Sequence, residues 1–90
     1  MNQLSNTIVS ILQKYHIKKA AFFGSYARGD FDEKSDIDIL FQPPDDMGIG
    51  VVSLKRDLES ALEKKVDLVS YNGISKYLKE YILGNQKPLL

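Results

Sequence analysis

Residues 23–39 read FGSYARGDFDEKSDIDI, and they join the first two predicted strands of the chain. The run from Ile17 to Phe23 before it is rich in small and apolar residues and predicts a buried strand that stops at Gly24. The residues from there to Gly29 are typical of one helical turn after a tight bend, and a polar loop follows. Residues 36–42 alternate at first and then become apolar, which predicts a second strand.

Regular hydrophobic patterns extend outward from this stretch in both directions. Helical spacing of apolar side chains predicts helices over residues 3 to about 16, residues 50 to about 64, and a last helix from Ile74 to Gly84. Residues 65–70 predict a third strand, and Leu89-Leu90 is either a short edge strand or an exposed tail. The order of helices and strands predicts an α/β (α+β) fold in which helices pack on a small β-sheet. Strand directions cannot be read from the pattern.

Length and composition limit the possible functions. Ninety residues suffice for a single domain, residues 1–90, but not for a second domain that binds an acceptor. Twelve basic and twelve acidic residues cancel, so bulk charge gives no case for binding nucleic acid or a membrane surface. The absence of cysteine excludes disulfides and thiol chemistry. With no signal peptide and no membrane-length apolar run, we expect a cytoplasmic protein.

Three aspartates stand in runs that are otherwise apolar, although aspartate is depleted in strands. Asp36 and Asp38 are two residues apart, so on a strand they share one face, roughly 6–7 Å apart along the backbone. Asp67 stands between Val66 and Leu68 in the third predicted strand. If the two strands pair, roughly 4.8 Å apart, the three carboxylates converge on one spot.

Clustered carboxylates repel one another unless a cation binds between them. Mg²⁺ takes oxygen ligands and keeps room for substrate phosphates, so it suits such a cluster. Gly24 and Ser25 follow the first predicted strand; the glycine allows close backbone approach, and the hydroxyl and the N–H groups at the helix start suit a phosphate. A nucleoside triphosphate could therefore bridge the phosphate-binding turn and the metal-binding face.

The string Phe23-Gly24-Ser25-Tyr26-Ala27-Arg28-Gly29, followed by Ser35-Asp36-Ile37-Asp38-Ile39, resembles the motif of the polymerase-β-like nucleotidyltransferases, in particular the minimal nucleotidyltransferases. The resemblance covers nearly the whole chain and implies a small mixed β-sheet flanked by helices. It also implies that Asp36, Asp38 and Asp67 bind Mg²⁺ and carry catalysis, and that Gly24 and Ser25 hold the triphosphate of ATP.

Minimal nucleotidyltransferases are often encoded with a helical HEPN-domain partner, in pairs that act as toxin and antitoxin. The resemblance thus implies transfer of AMP to a tyrosine of a partner HEPN toxin. Because the chain is short, a second protein or another copy of the chain must help to present the acceptor. A small molecule of the aminoglycoside type is the second choice of acceptor, and nucleic acid is the third.

Other interpretations stay open at this point. Arg28 either binds the triphosphate or pairs with Asp30 or Asp32 and anchors the short helix. Ser35 is expected to stabilise the turn before the second strand. The protein could also neutralise a toxin by stoichiometric contact alone, without catalysis, or be a structural α/β domain with surface aspartates.

Overall fold

The first helix packs its apolar stripe against the sheet. In the computed structural model, which describes residues 2–32, 34–45, 47–74, 80, 84 and 86–90, α1 spans Asn2–Lys14. Ile8 and Leu12, one helical turn apart, are both fully buried. Tyr15, just past the helix, donates a hydrogen bond to the Asp57 carboxylate of the helix that follows the second strand. Two contacts, one apolar and one polar, therefore fix the position of α1.

The first strand begins later than the sequence predicts. His16 has a left-handed backbone (φ 64°), and the Ile17 N–H donates to the Leu12 carbonyl at 3.0 Å. This bond closes the end of the helix, so Ile17 is buried without being part of a strand. The predicted strand over residues 17–23 is accordingly reduced to Ala20–Phe23.

Four strands form one mixed sheet in the order β3-β2-β1-β4. Strand β1 is antiparallel to β2 and to β4, whereas β2 and β3 are parallel. A parallel pair needs a crossover connection, and α3 provides it between β2 and β3. The remaining bounds are α2 Ser25–Arg28, β2 Ile37–Phe41, α3 Gly50–Leu62, β3 Val66–Ser70, a 3₁₀ turn Tyr71–Gly73 and β4 Lys87–Pro88. The predicted α/β class with a small mixed sheet is confirmed.

The hydrophobic core lies between one face of the sheet and the two long helices. Ile37 and Ile39 of β2 face it, as do Leu54 and Leu58 of α3, and all four are fully buried. Helix α3 stops at Leu62, two residues before the predicted end, because Glu63 adopts a left-handed backbone (φ 54°). None of the helices in the described ranges is long and apolar enough to cross a membrane.

The opposite face of the sheet is polar at one end and apolar at the other. Leu40 pairs with Ala21, and both are buried, although they lie on the same face as Asp38, two residues earlier in β2. The sheet is therefore covered on this face too, at the end away from the aspartates.

The end of the chain joins the sheet in a way that neither predicted alternative describes. The edge strand is β4, Lys87–Pro88, which pairs with Phe22 and Ala21 of β1. Leu89 and Leu90 follow it; their N–H groups donate to the Ala20 carbonyl at 2.9 and 3.1 Å, and their side chains pack on the core. The predicted last helix, residues 74–84, lies outside the described residues apart from Ile74, Glu80 and Gly84.

Candidate active site

Parallel pairing of β2 and β3 places two of the predicted aspartates side by side. Asp38 is the register partner of Asp67, so the two side chains project from the same face of the sheet. On its other side Asp38 is opposite Phe23, the last residue of β1. Asp36 is exposed and immediately precedes β2, so the first residue of the predicted strand, 36–42, lies outside the observed one. The predicted meeting of carboxylates from two strands is therefore present for Asp38 and Asp67.

The pKa of the Asp38 carboxyl reports its surroundings. Burial raises this pKa above the usual aspartate value, and the charge of Asp67, a hydrogen bond with Asp67 and the charge of Asp36 raise it further. The charge of Arg28 acts in the opposite direction. All three predicted carboxylates and one guanidinium are thus close enough to act on one another electrostatically.

The oxygen atoms of these three carboxylates are chemically suited to bind a divalent cation. The charges of Asp67 and Asp36 disfavour the charged form of Asp38, and a divalent cation between the carboxylates would relieve this repulsion. Within the described part of the chain, no three acidic or histidine side chains are grouped tightly enough to hold a metal ion. Metal binding by Asp36, Asp38 and Asp67 remains a prediction, and it requires these side chains to move closer together.

Gly24 lies directly against the carboxylate site. Its backbone has φ 68° and ψ −144°, a conformation that side chains with a Cβ rarely adopt. A Cβ at this position would also be 2.5 Å from Oδ2 of Asp38. The backbone conformation and the close contact both favour glycine here, because a Cβ would be strained and would require the Asp38 carboxylate to move.

The short helix α2 follows this turn and holds Ser25 near the carboxylates. The N–H groups of Ala27 and Arg28 both donate to the Gly24 carbonyl at 3.1 Å. Tyr26 is buried and stacks on Phe31, with ring centroids 4.2 Å apart. This aromatic stack anchors α2 to the following loop. Neither aromatic residue was among the predicted site residues, although both stand in or just after the glycine-containing motif.

Arg28 forms an ion pair, as one of its two predicted roles requires. Its Nε donates to Oδ2 of Asp30 at 3.1 Å, and both side chains are about half exposed. An exposed pair of this kind contributes little to stability, so it does not by itself prevent Arg28 from contacting a phosphate. Its predicted triphosphate contact remains a prediction.

The loop between α2 and β2 is closed by a side-chain bridge. The Ser35 hydroxyl accepts from the Asp32 N–H at 2.9 Å and donates to Oδ1 of Asp32 at 3.2 Å. The Lys34 N–H donates to the same carboxylate oxygen at 2.8 Å. The predicted role of Ser35 in the turn is confirmed, and this turn delivers the chain to Asp36.

The family of the chain follows from comparison with known proteins. Residues 6–90 match the family model described as polymerase beta, nucleotidyltransferase. The chain belongs to this nucleotidyltransferase family. The prediction that it is a nucleotidyl-transferring enzyme is thereby confirmed.

Individual similar proteins indicate which branch of the family the chain resembles. A provisionally named protein adenylyltransferase from Methanocaldococcus jannaschii is 41% identical over 91 residues, covering 100% of this chain and 98% of the relative. A solved structure provisionally described as a minimal nucleotidyltransferase has a TM-score of 0.85 and 30% identity, covering 97% of this chain and 90% of that chain. The resemblance to minimal nucleotidyltransferases is confirmed.

Two further solved structures are toxin–antitoxin complexes. One, crystallised with AMP-PNP, has a TM-score of 0.82 and 31% identity, and the match covers 96% of this chain and 72% of that one. The other contains a tri-AMPylated HEPN toxin from Shewanella oneidensis with its MNT antitoxin; its TM-score is 0.76 at 28% identity, over 99% of this chain and 71% of that one. This nucleotidyltransferase therefore has relatives in toxin–antitoxin pairs.

We expect Gly24→Ala to abolish nucleotidyl transfer and to destabilise the protein more than Gly29→Ala does. Both glycines have positive φ, but a Cβ at Gly29 would meet nothing within 4 Å. Gly29→Ala therefore costs only the backbone strain, about 1 kcal/mol, whereas Gly24→Ala adds the collision with Asp38. Urea unfolding and transfer of labelled AMP measure the two effects. Equal stability and equal activity of the two variants would contradict the assigned role of Gly24.

We expect Asp67→Asn to raise the melting temperature of the nucleotidyltransferase by a few degrees at neutral pH in EDTA. The raised pKa of Asp38 means that the folded chain binds this proton more tightly than the unfolded chain, so charging Asp38 disfavours folding. This free-energy penalty on folding is absent at pH values below the ordinary aspartate pKa. It is complete at pH values above the raised pKa of Asp38. The gain should disappear at acidic pH, and Asp45→Asn, in an exposed loop, is the control. Lower stability of Asp67→Asn at neutral pH would rule out the repulsion.

Proposed function

We propose that this nucleotidyltransferase moves AMP from ATP to a hydroxyl group of a partner protein, with Mg²⁺ as cofactor. The partner would be a HEPN-domain toxin, the acceptor one of its tyrosines, and the role of this protein that of antitoxin. The observation that carries the proposal is the register pairing of Asp38 with Asp67 directly beside Gly24. Relatives support it: one toxin–antitoxin complex was crystallised with AMP-PNP, and another contains a HEPN toxin that carries AMP.

The nucleotide would bind between the α2 turn and the aspartates. Gly24 lets the backbone approach the phosphates, and the Ser25 hydroxyl can donate a hydrogen bond to a phosphate oxygen. The Arg28 guanidinium, about half exposed, can turn from Asp30 toward the same phosphates. Asp36, Asp38 and Asp67 would hold Mg²⁺, which when bound neutralises phosphate charge and orients the reacting oxygens.

The chemical step forms one bond and breaks one. The acceptor oxygen bonds to the α-phosphorus, the bond from that phosphorus to the bridging oxygen breaks, and pyrophosphate leaves with the electron pair. The proton of the acceptor hydroxyl passes to the carboxylate of Asp67, the aspartate on the strand at the edge of the sheet. Positioning and charge stabilisation account for most of the rate in such displacements.

We propose that the acceptor hydroxyl belongs to another molecule. With 90 residues, most of the described chain is used to build the sheet, its two long helices and the carboxylate site. The zero formal net charge gives no general attraction for nucleic acid, so a protein acceptor fits better than an oligonucleotide.

The test of the proposed activity uses labelled ATP, Mg²⁺ and the HEPN-domain protein encoded beside this one. We expect wild type to add AMP to a tyrosine of that protein, as detected by mass spectrometry. Asp38→Asn and Asp36→Asn should each lower the rate by at least about a hundredfold, because each removes charge that stabilises the transition state. Asp45→Asn, an exposed aspartate at the other end of β2, should transfer at the wild-type rate.

The same variants distinguish neutralisation of the partner by catalysis from neutralisation by binding alone. Circular dichroism should show Asp38→Asn folded, and coexpression should show it unable to protect cells from the partner. Label transfer by Asp38→Asn at the wild-type rate would refute the enzymatic mechanism. Full protection by a folded Asp38→Asn protein without any transfer would instead favour neutralisation by stoichiometric binding.

A further inference from the structure

Lys65 immediately precedes β3, the strand that carries Asp67, and neither the motif nor the mechanism uses it. The Ile37 N–H donates to the Lys65 carbonyl at 3.0 Å. Ile37 pairs with Val66 in the parallel ladder, so one step before this pair Lys65 lies beside Asp36. Lys65 also precedes Asp67 by two residues, and residues two apart on extended backbone share a face.

The charge of Lys65 is available for a ligand. Its side chain is exposed, and it forms no ion pair with any residue in the described ranges. The neighbouring cations differ in this respect: Arg28 is paired with Asp30, and Lys64 has its own contact. Because this side chain is exposed and forms no ion pair in the described ranges, the packing of the fold does not depend on its charge.

The order of the strands decides which ligand Lys65 can meet. From one side to the other, the sheet places β3 at its edge, β2 next to it and β1 beyond. The phosphate-binding turn, Gly24 and Ser25, follows β1, so the carboxylate of Asp38 on β2 separates it from Lys65. The triphosphate would therefore extend away from Lys65, and the acceptor would approach from the β3 side, where Asp67 receives its proton.

We propose that Lys65 binds a carboxylate of the acceptor protein close to the hydroxyl that receives AMP, and so selects an acidic acceptor segment. This inference rests on the proposed transfer to a protein acceptor. An exposed lysine and a carboxylate attract over several ångströms, and such pairs govern the association and partner choice of proteins. Salt weakens the attraction because the charges are exposed to solvent.

The experiment compares the kinetics of transfer to the HEPN-domain partner by wild type, Lys65→Ala, Lys65→Arg and Lys65→Glu. Lys18→Ala is the matched control, because it removes one exposed positive charge at the opposite end of the sheet. We expect Lys65→Ala to raise the KM for the partner about tenfold, with the KM for ATP and the kcat unchanged. Arginine should restore binding and glutamate should weaken it further, while Lys18→Ala behaves as wild type.

Salt provides a second readout that a purely structural role would not change. The KM of wild type for the partner should rise with ionic strength, and this dependence should be weaker in Lys65→Ala. A raised KM for ATP with an unchanged KM for the partner would assign Lys65 to the phosphates and overturn the proposal. Wild-type kinetics in all three Lys65 variants would overturn it as well.

The two proposals fail in different ways. If wild type transfers AMP to the partner and Lys65→Ala does so equally well, only the role of Lys65 is wrong. If wild type transfers no AMP to the partner, protein adenylylation itself is wrong, and the role of Lys65 is wrong with it.

Discussion

Repulsion between two carboxylates is the constraint on which the architecture of this site depends. Asp38 and Asp67 are register partners on parallel strands; burial raises the pKa of Asp38, and the charges of Asp67 and Asp36 raise it further. Such an arrangement costs stability in the absence of a counter-charge. The fold retains it because the reverse sides of the same strands are buried: Ile37, Ile39 and Val66 are fully enclosed, and their burial holds the aspartates in place.

The remaining parts of the protein serve to hold this pair beside a backbone turn. Helix α3 is the crossover that makes β2 and β3 parallel, which brings the second residue of each strand into register. Strand β1 runs antiparallel to β2 and ends opposite Asp38, so the chain leaves the sheet at Gly24. Glycine is strongly favoured at that position, since its φ is positive and a Cβ there would displace the Asp38 carboxylate. The turn at Gly24 and carboxylates from two separate strands of the chain thereby become neighbours.

The sequence predicts the chemistry of this site better than its geometry. Aspartates at alternate positions in an apolar run are visible without a structure, and so is the glycine that ends the preceding strand. Strand order and direction depend on long-range packing, so the pairing of Asp38 with Asp67 could be stated only as a condition. The contact between Gly24 and Asp38 and the ion pair of Arg28 with Asp30 depend on distances that no local pattern encodes. The observed helix ends differ from the predicted ones where a residue with left-handed backbone follows the helix, as at His16 and Glu63.

We propose that the aspartates and the α2 turn form one site for a divalent cation and a nucleotide. Amide NMR spectra recorded while Mn²⁺ is added together with AMP-PNP test this proposal, because a paramagnetic ion broadens the signals nearest to it. We expect broadening to begin at Gly24, Ser25, Asp38 and Asp67 and to reach residues 47–52, at the far end of the sheet, last. Broadening centred elsewhere, or none at concentrations where AMP-PNP binds, would contradict it.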